Sequence, residues 1–160
     1  VAVLARSGAI FERKLLATLD PALPPTEQLR RTARFYFDHY VENRPYFQIF
    51  WAIENEAVIG ELPADVVAEV ARLWESCVDA VAGIVARGIE SGDFVDCDPW
   101  EVANVLWTLA NGLIQTETSA TRRRLRRRSL DRAFHDAVEI VLRGIAARPG
   151  VAGAPGAGSA

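Results

Sequence analysis

An all-α domain of about six helices is the fold class this sequence predicts, and three observations predict it. Apolar residues recur at helical spacing nearly throughout, no stretch alternates over a strand's length, and no Asn-Gly or Asp-Gly pair separates two strand-like runs. The 160 residues, half of them apolar and 24% charged, suffice for one core. No apolar run approaches the ~20 residues that cross a bilayer, so no membrane partner is expected. Two cysteines exclude a disulfide framework, and with no secretory signal at the start a reduced, cytoplasmic setting is the default. The chain opens on Val1 and contains no Met, which reads as a fragment or a processed chain.

The elements follow in order. Val1 to Leu19 places Leu4, Phe11, Leu15 and Leu19 on one side, and Asp20-Pro21 ends it. A second helix runs from about Thr26 to Glu42, with Leu29, Ala33, Tyr36 and Tyr40 on its apolar face. Asn43-Arg44-Pro45 breaks it, and Pro45 suits the first turn of a third helix reaching about Ala57. Gly60 and Pro63 precede the longest helix, Ala64 to Glu90, which Ser91-Gly92-Asp93 stops through a left-handed glycine cap. Asp98-Pro99 opens a fifth helix, Asp98 as N-cap and Pro99 at the first position, running to about Ser119. A sixth runs from about Ser129 to Ala147. Residues 148–160 are Pro, Gly, Ala and Ser with little else and read as a flexible tail, leaving 1–147 as the domain.

The fifth and sixth helices carry apolar arcs wider than the ~100° stripe a surface helix needs. Burying the excess calls for a partner surface, most simply a four-helix interface between two copies. Val102, Leu106, Leu109 and Leu113, with Phe134, Val138, Val141, Leu142 and Ile145, are the expected interface residues. Gly112 and Gly144 fit close approach of another helix backbone. Central placement of both helices in a monomer core is the other reading.

Chemistry-bearing patterns are sparse. His39 and His135 belong to no metal-ligand spacing, Cys77 lies on an apolar stripe, and Cys97 lacks a C-x-x-C partner. No nucleophile motif or phosphate-binding fingerprint occurs, so no catalytic residue, metal or cofactor is assigned. Aromatics are concentrated instead: eight fall within residues 35–51. Phe37, Tyr40, Phe47, Phe50 and Trp51, with Trp74, Trp107 and Asn111, are the candidate lining of a pocket for a small apolar or aromatic effector. Plain core packing is the alternative for each of them.

Charge is uneven. Residues 1–121 hold 18 acidic and 9 basic side chains, whereas residues 122–160 hold 3 and 9. Six of those bases are Arg122, Arg123, Arg124, Arg126, Arg127 and Arg128. The run lacks aromatic interleaving for base stacking and reads as a solvated basic connection or helix end, with phosphate or RNA binding the alternative.

The stretch Arg87-Gly88-Ile89-Glu90-Ser91-Gly92-Asp93-Phe94, then Asp98-Pro99 and the helix closing Ala110-Asn111-Gly112-Leu113, resembles the C-terminal half of TetR-family (tetracycline-repressor-like) transcriptional regulators. The opening helix resembles the long helix that follows the family's helix-turn-helix. The resemblance extends over about residues 1–147. It implies a one-component repressor whose C-terminal domain binds a small effector and pairs through its last two long helices. The family's N-terminal DNA-binding domain has no counterpart in these residues, so operator DNA would be reached only through that absent domain. A stand-alone helical binding or interaction module is the rival reading.

Overall fold

The computed structural model describes residues 2–53 and 62–149. Seven α-helices lie among them: α1 (Ala2–Ala17), α2 (Pro25–Glu42), α3 (Arg44–Ile53), α4 (Ala64–Glu90), α5 (Pro99–Gln115), α6 (Ala120–Leu125) and α7 (Leu130–Ile145). A 3-10 turn, Thr116–Thr118, joins α5 to α6. The fold is all-α; the sole β-type pairing among the described residues is an isolated bridge between Phe94 and Ala146.

Helix α4 is the spine. Its sequence repeats apolar residues at the period that buries one face, and Val70, Leu73, Cys77, Val78 and Val85 are buried along it. Helix α1 lies along α4, α5 folds back against it, and α2 packs beside both. Helix α7 closes the bundle over α5 and α2. Phe11, Leu15, Leu29, Phe47, Val85, Ile114, Phe134 and Leu142 meet in one continuous core. Each such side chain contributes about 1.5–3 kcal/mol by leaving water.

Polar side chains fix the ends and corners. Asp98 Oδ1 accepts from the backbone N–H groups of Trp100 (2.9 Å) and Glu101 (3.3 Å), which starts α5 where the Asp-Pro pair predicts. Gly92 has φ +80° and ends α4 in the left-handed conformation open to glycine. Gly88 is required for another reason: a Cβ there would collide with the ring of buried Phe94. Gln28, fully buried at the start of α2, clasps the α1–α2 corner. Its Nε2 donates to the Thr18 carbonyl and the Thr32 hydroxyl, and its Oε1 accepts from the Asp20 N–H at 2.7 Å. Arg30 reaches from α2 to α7 with a bidentate pair to Glu139, at 2.6 and 3.1 Å. That hydrogen bonding holds the Glu139 carboxyl below its usual range. Arg34 likewise joins Asp38 to Asp131 of α7, and holds the Asp131 carboxyl low.

Four features differ from the sequence expectation. Helix α1 stops at Ala17, short of Leu19. Helix α5 stops at Gln115, short of Ser119, because Thr116 turns its hydroxyl back on the Leu113 carbonyl and the chain tightens into the 3-10 turn. Helix α7 stops at Ile145, short of Ala147. The backbone there turns to pair with the α4–α5 loop: Val95 N–H donates to Ile145 O (2.8 Å) and Ala147 N–H to Asp93 O (2.9 Å). The arginine run, expected as a connection or helix end, contains helix α6, whose N-cap Ser119 accepts from Arg122 N–H at 3.2 Å. The expected continuation of α3 to Ala57 and most of the 148–160 tail lie outside the described residues.

Candidate functional site

A small cavity of about 60 Å³ lies where α1, α2, α4, α5 and α7 converge. Short side chains create it. Ala103 and Ala110 on α5, Ala33 on α2 and Ala137 on α7 do not span the gap that larger residues elsewhere fill. Leu15, Leu29, Val78, Val81, Leu106, Trp107, Leu109, Leu113, Phe134 and Val138 stand around them, with Thr32, Tyr36 and Cys77 closing the wall. The space exceeds the ~10–15 Å³ that one water requires, but the lining gives a water almost none of the polar partners it needs.

The electrostatics are those of an uncharged site. Cys77 brings a thiol to the wall, and burial pushes its pKa up to about 12, so it stays protonated. The Thr32 hydroxyl already accepts from Gln28, and the Tyr36 hydroxyl donates to Asn111 Oδ1. Among the described residues, no Asp, Glu, Lys or Arg side chain lines the cavity. An ionised ligand would lose its hydration there without a counter-charge, so the chemistry suits a neutral, largely apolar molecule.

The wall does not end inside the protein. Leu106, Leu109 and Leu113 of α5 and Ala137 of α7 line the cavity yet are only half-buried. Beside them, Val105 is 51% exposed and Ile140 62% exposed. Gly112 and Gly144 open onto empty space, with nothing within 4 Å of a Cβ built at either. The cavity therefore continues into an uncovered apolar face made by the two long C-terminal helices.

The eight aromatic-cluster candidates are brought together, but mainly to pack on one another. Phe37, Tyr40, Phe47 and Phe50 are buried, and Trp51, Trp74 and Trp107 are half-buried. Phe37 meets Phe134 at 5.1 Å between ring centres, Tyr40 meets Phe47 at 5.4 Å, and Phe50 meets Trp74 at 5.0 Å. Asn111, 6% exposed, also accepts from Trp51 Nε1 at 3.4 Å. Of the eight, Trp107 lines the cavity. Phe50 and Trp74 line a smaller one of about 20 Å³ between α1, α3 and α4, with Cys77 in the wall of both. Phe37, Tyr40, Phe47, Trp51 and Asn111 line neither.

The nine interface candidates divide. Phe134, Val138, Leu142 and Ile145 are buried in the chain's own core, while Val102, Leu106, Leu109, Leu113 and Val141 are half-buried. Leu106, Leu109, Leu113, Phe134 and Val138 also line the cavity. Sequence reasoning missed the alanines of the wall. Their signal is the small residues at positions 103 and 110, flanking Trp107 at helical spacing.

In the arginine run, Arg126 is built in. It meets Glu117 at 2.6 Å, the Thr116 hydroxyl at 3.0 Å and the Arg128 carbonyl at 3.0 Å. Arg128 pairs with Asp136, and Arg123 donates to the Glu117 carbonyl. Among the described residues, no group of three His, Cys, Asp or Glu is placed to hold a metal ion, and no helix is long and apolar enough to cross a membrane.

These features define a helical domain with an apolar internal chamber. Residues 22–115, from the α1–α2 loop to the end of α5, match the family model described as Tetracyclin repressor-like, C-terminal domain. The match covers more than half of the chain, and the chain belongs to that family. It is narrower than the resemblance read from the motifs, since α1, α6 and α7 lie outside it. No curated protein and no solved structure matches the chain.

Proposed function

We propose that this chain is the effector-binding and dimerisation part of a ligand-responsive transcriptional regulator of the TetR type. A neutral, apolar or aromatic small molecule occupies the α1–α2–α4–α5–α7 cavity, against Trp107 and the alanines around it. A second copy covers the α5/α7 face, with Val102, Val105, Leu109, Ile140 and Val141 at the contact. DNA is read by a helix-turn-helix head preceding α1, and effector occupancy controls it by binding one arrangement of the two copies better than another. The observation that carries this reading is the continuity of the cavity wall with the bare α5/α7 face. The family match supports the regulator class.

Native mass spectrometry of the purified chain, followed by mass analysis of what denaturation releases, tests the proposal. The expected result is a dimer carrying a neutral apolar molecule. A monomer that stays empty when challenged with a library of uncharged aromatic compounds overturns it.

A further inference from the structure

Helix α6 and the turns on either side of it concentrate positive charge at one end of the bundle. All six arginines of residues 122–128 except Arg126 are exposed. The neighbouring carboxylates are already engaged: Glu117 by Arg126, Asp136 by Arg128 and Arg132, Asp131 by Arg34. Arg122, Arg124 and Arg127 consequently have no acidic partner among the described residues, in a chain whose first 121 residues are net acidic. The segment is held in shape. Ser119 caps α6, and Arg126 is tied to Thr116, Glu117 and the Arg128 carbonyl. Three exposed guanidinium groups without a carboxylate partner among the described residues thus stand on a fixed support.

We propose that Arg122, Arg124 and Arg127 form a docking surface for the phosphate backbone of duplex DNA, without base reading. Several features favour this occupant. Every cation of the run is arginine, whose planar fork matches phosphate oxygens in pairs. No aromatic side chain lies in the run to stack an unpaired base, which disfavours single strands. Leu125 is its one exposed large apolar residue, at 75%, too little to bury in a lipid surface. The placement agrees: the segment follows the end of α5, where Glu117 acts on Tyr40 in the last turn of α2, and Gly8 in the first half of α1 lies against Tyr46 just beyond α2. A head preceding α1 would stand at this same end. The choice of DNA among polyanions rests on the regulator reading above; the surface itself does not.

The test is fluorescence anisotropy of the full chain with a labelled random-sequence duplex of about 20 base pairs, read at about 50 and about 200 mM salt. Three phosphate contacts predict a loss of affinity of about 40-fold between those salts. The triple variant Arg122→Glu, Arg124→Glu, Arg127→Glu should abolish binding while leaving the melting temperature and oligomeric state unchanged, since all three residues are exposed. The single strand and vesicles of anionic phospholipid are run alongside. Undetectable binding at the lower salt, binding undiminished in the triple variant, or equal affinity for the single strand or the vesicles overturns the proposal. None of these results touches dimerisation or effector uptake, so failure here is separable from failure of the regulator reading.

Discussion

The Tyr36 hydroxyl on α2 donates its hydrogen bond to Asn111 Oδ1 on α5, and both residues are buried. This contact stitches the aromatic layer to the helix that walls the cavity. Replacing Asn111 by Leu removes the acceptor of two donors, buried Tyr36 and half-buried Trp51. The expected cost is about 1–3 kcal/mol in chemical denaturation. Tyr36→Phe in the same background should add less than it does alone, because the two changes remove one shared interaction.

Filling the cavity separates stability from binding. Ala110→Leu places three further carbons against Trp107 and Leu106. A gain of about 0.5–2 kcal/mol is expected, together with loss of effector uptake. A less stable variant that still binds would show that the chamber lies elsewhere.

The two exposed glycines give opposite signs in two assays. Gly112→Ala and Gly144→Ala meet nothing within the chain and favour the helix by about 1 kcal/mol each. The unfolding free energy of the isolated copy should rise. Light scattering should show weaker self-association, because the added methyl groups stand on the face assigned above to the proposed second copy. Gly88→Ala behaves differently: the Phe94 ring has to move, and a loss of about 1–3 kcal/mol is expected.

Charge on the outer face tests dimerisation without harming the core. Ile140→Arg introduces a cation at a position 62% exposed in the single copy. The fold should survive by circular dichroism, while the proposed dimer should be lost in light scattering. Phe134→Glu is a poor probe, since Phe134 is buried against Phe37 and the chain itself would unfold.

His39 gives the protein a mild acid sensitivity. Its ring lies 5.0 Å from that of Phe11, and burial, with Lys14 in support and Glu42 in opposition, lowers its pKa from 6.5. The unfolded chain therefore takes up the proton first as pH falls. Stability is full above 6.5 and declines below it until the lowered folded value is passed. His39→Gln should flatten that part of a melting-temperature profile and leave the carboxylate-driven loss at lower pH in place.

Helix positions were legible because their signals are local. Asp98-Pro99 caps α5, Gly92 ends α4, and the stripe of α4 faces the core as its spacing requires, whereas Phe134, Val138, Leu142 and Ile145 of α7, read as interface, fill the chain's own core. Helix α6 was harder to read, since a run of charge offers no periodicity even though arginine favours helix. The cavity was legible least. Aromatic residues signal a site only while their partners are unknown, and here Phe37, Tyr40 and Phe47 satisfy one another and Phe134. The empty space arises where alanines from three helices face one another, a coincidence of tertiary structure that no single stretch of sequence records.

The bridge between Phe94 and Ala146 has a mechanical result. Backbone hydrogen bonds fasten the final turn of α7 to the α4–α5 corner, whereas its first turns meet α2 through side chains, Arg34 with Asp131 and Phe37 with Phe134. Helix α7 thus resembles a door hung at one edge. A tilt about that hinge moves the Leu130 end most: about 5° over the roughly 24 Å length of the helix is a displacement of about 2 Å. The travel is delivered to the α6 side of the bundle, far from the hinge.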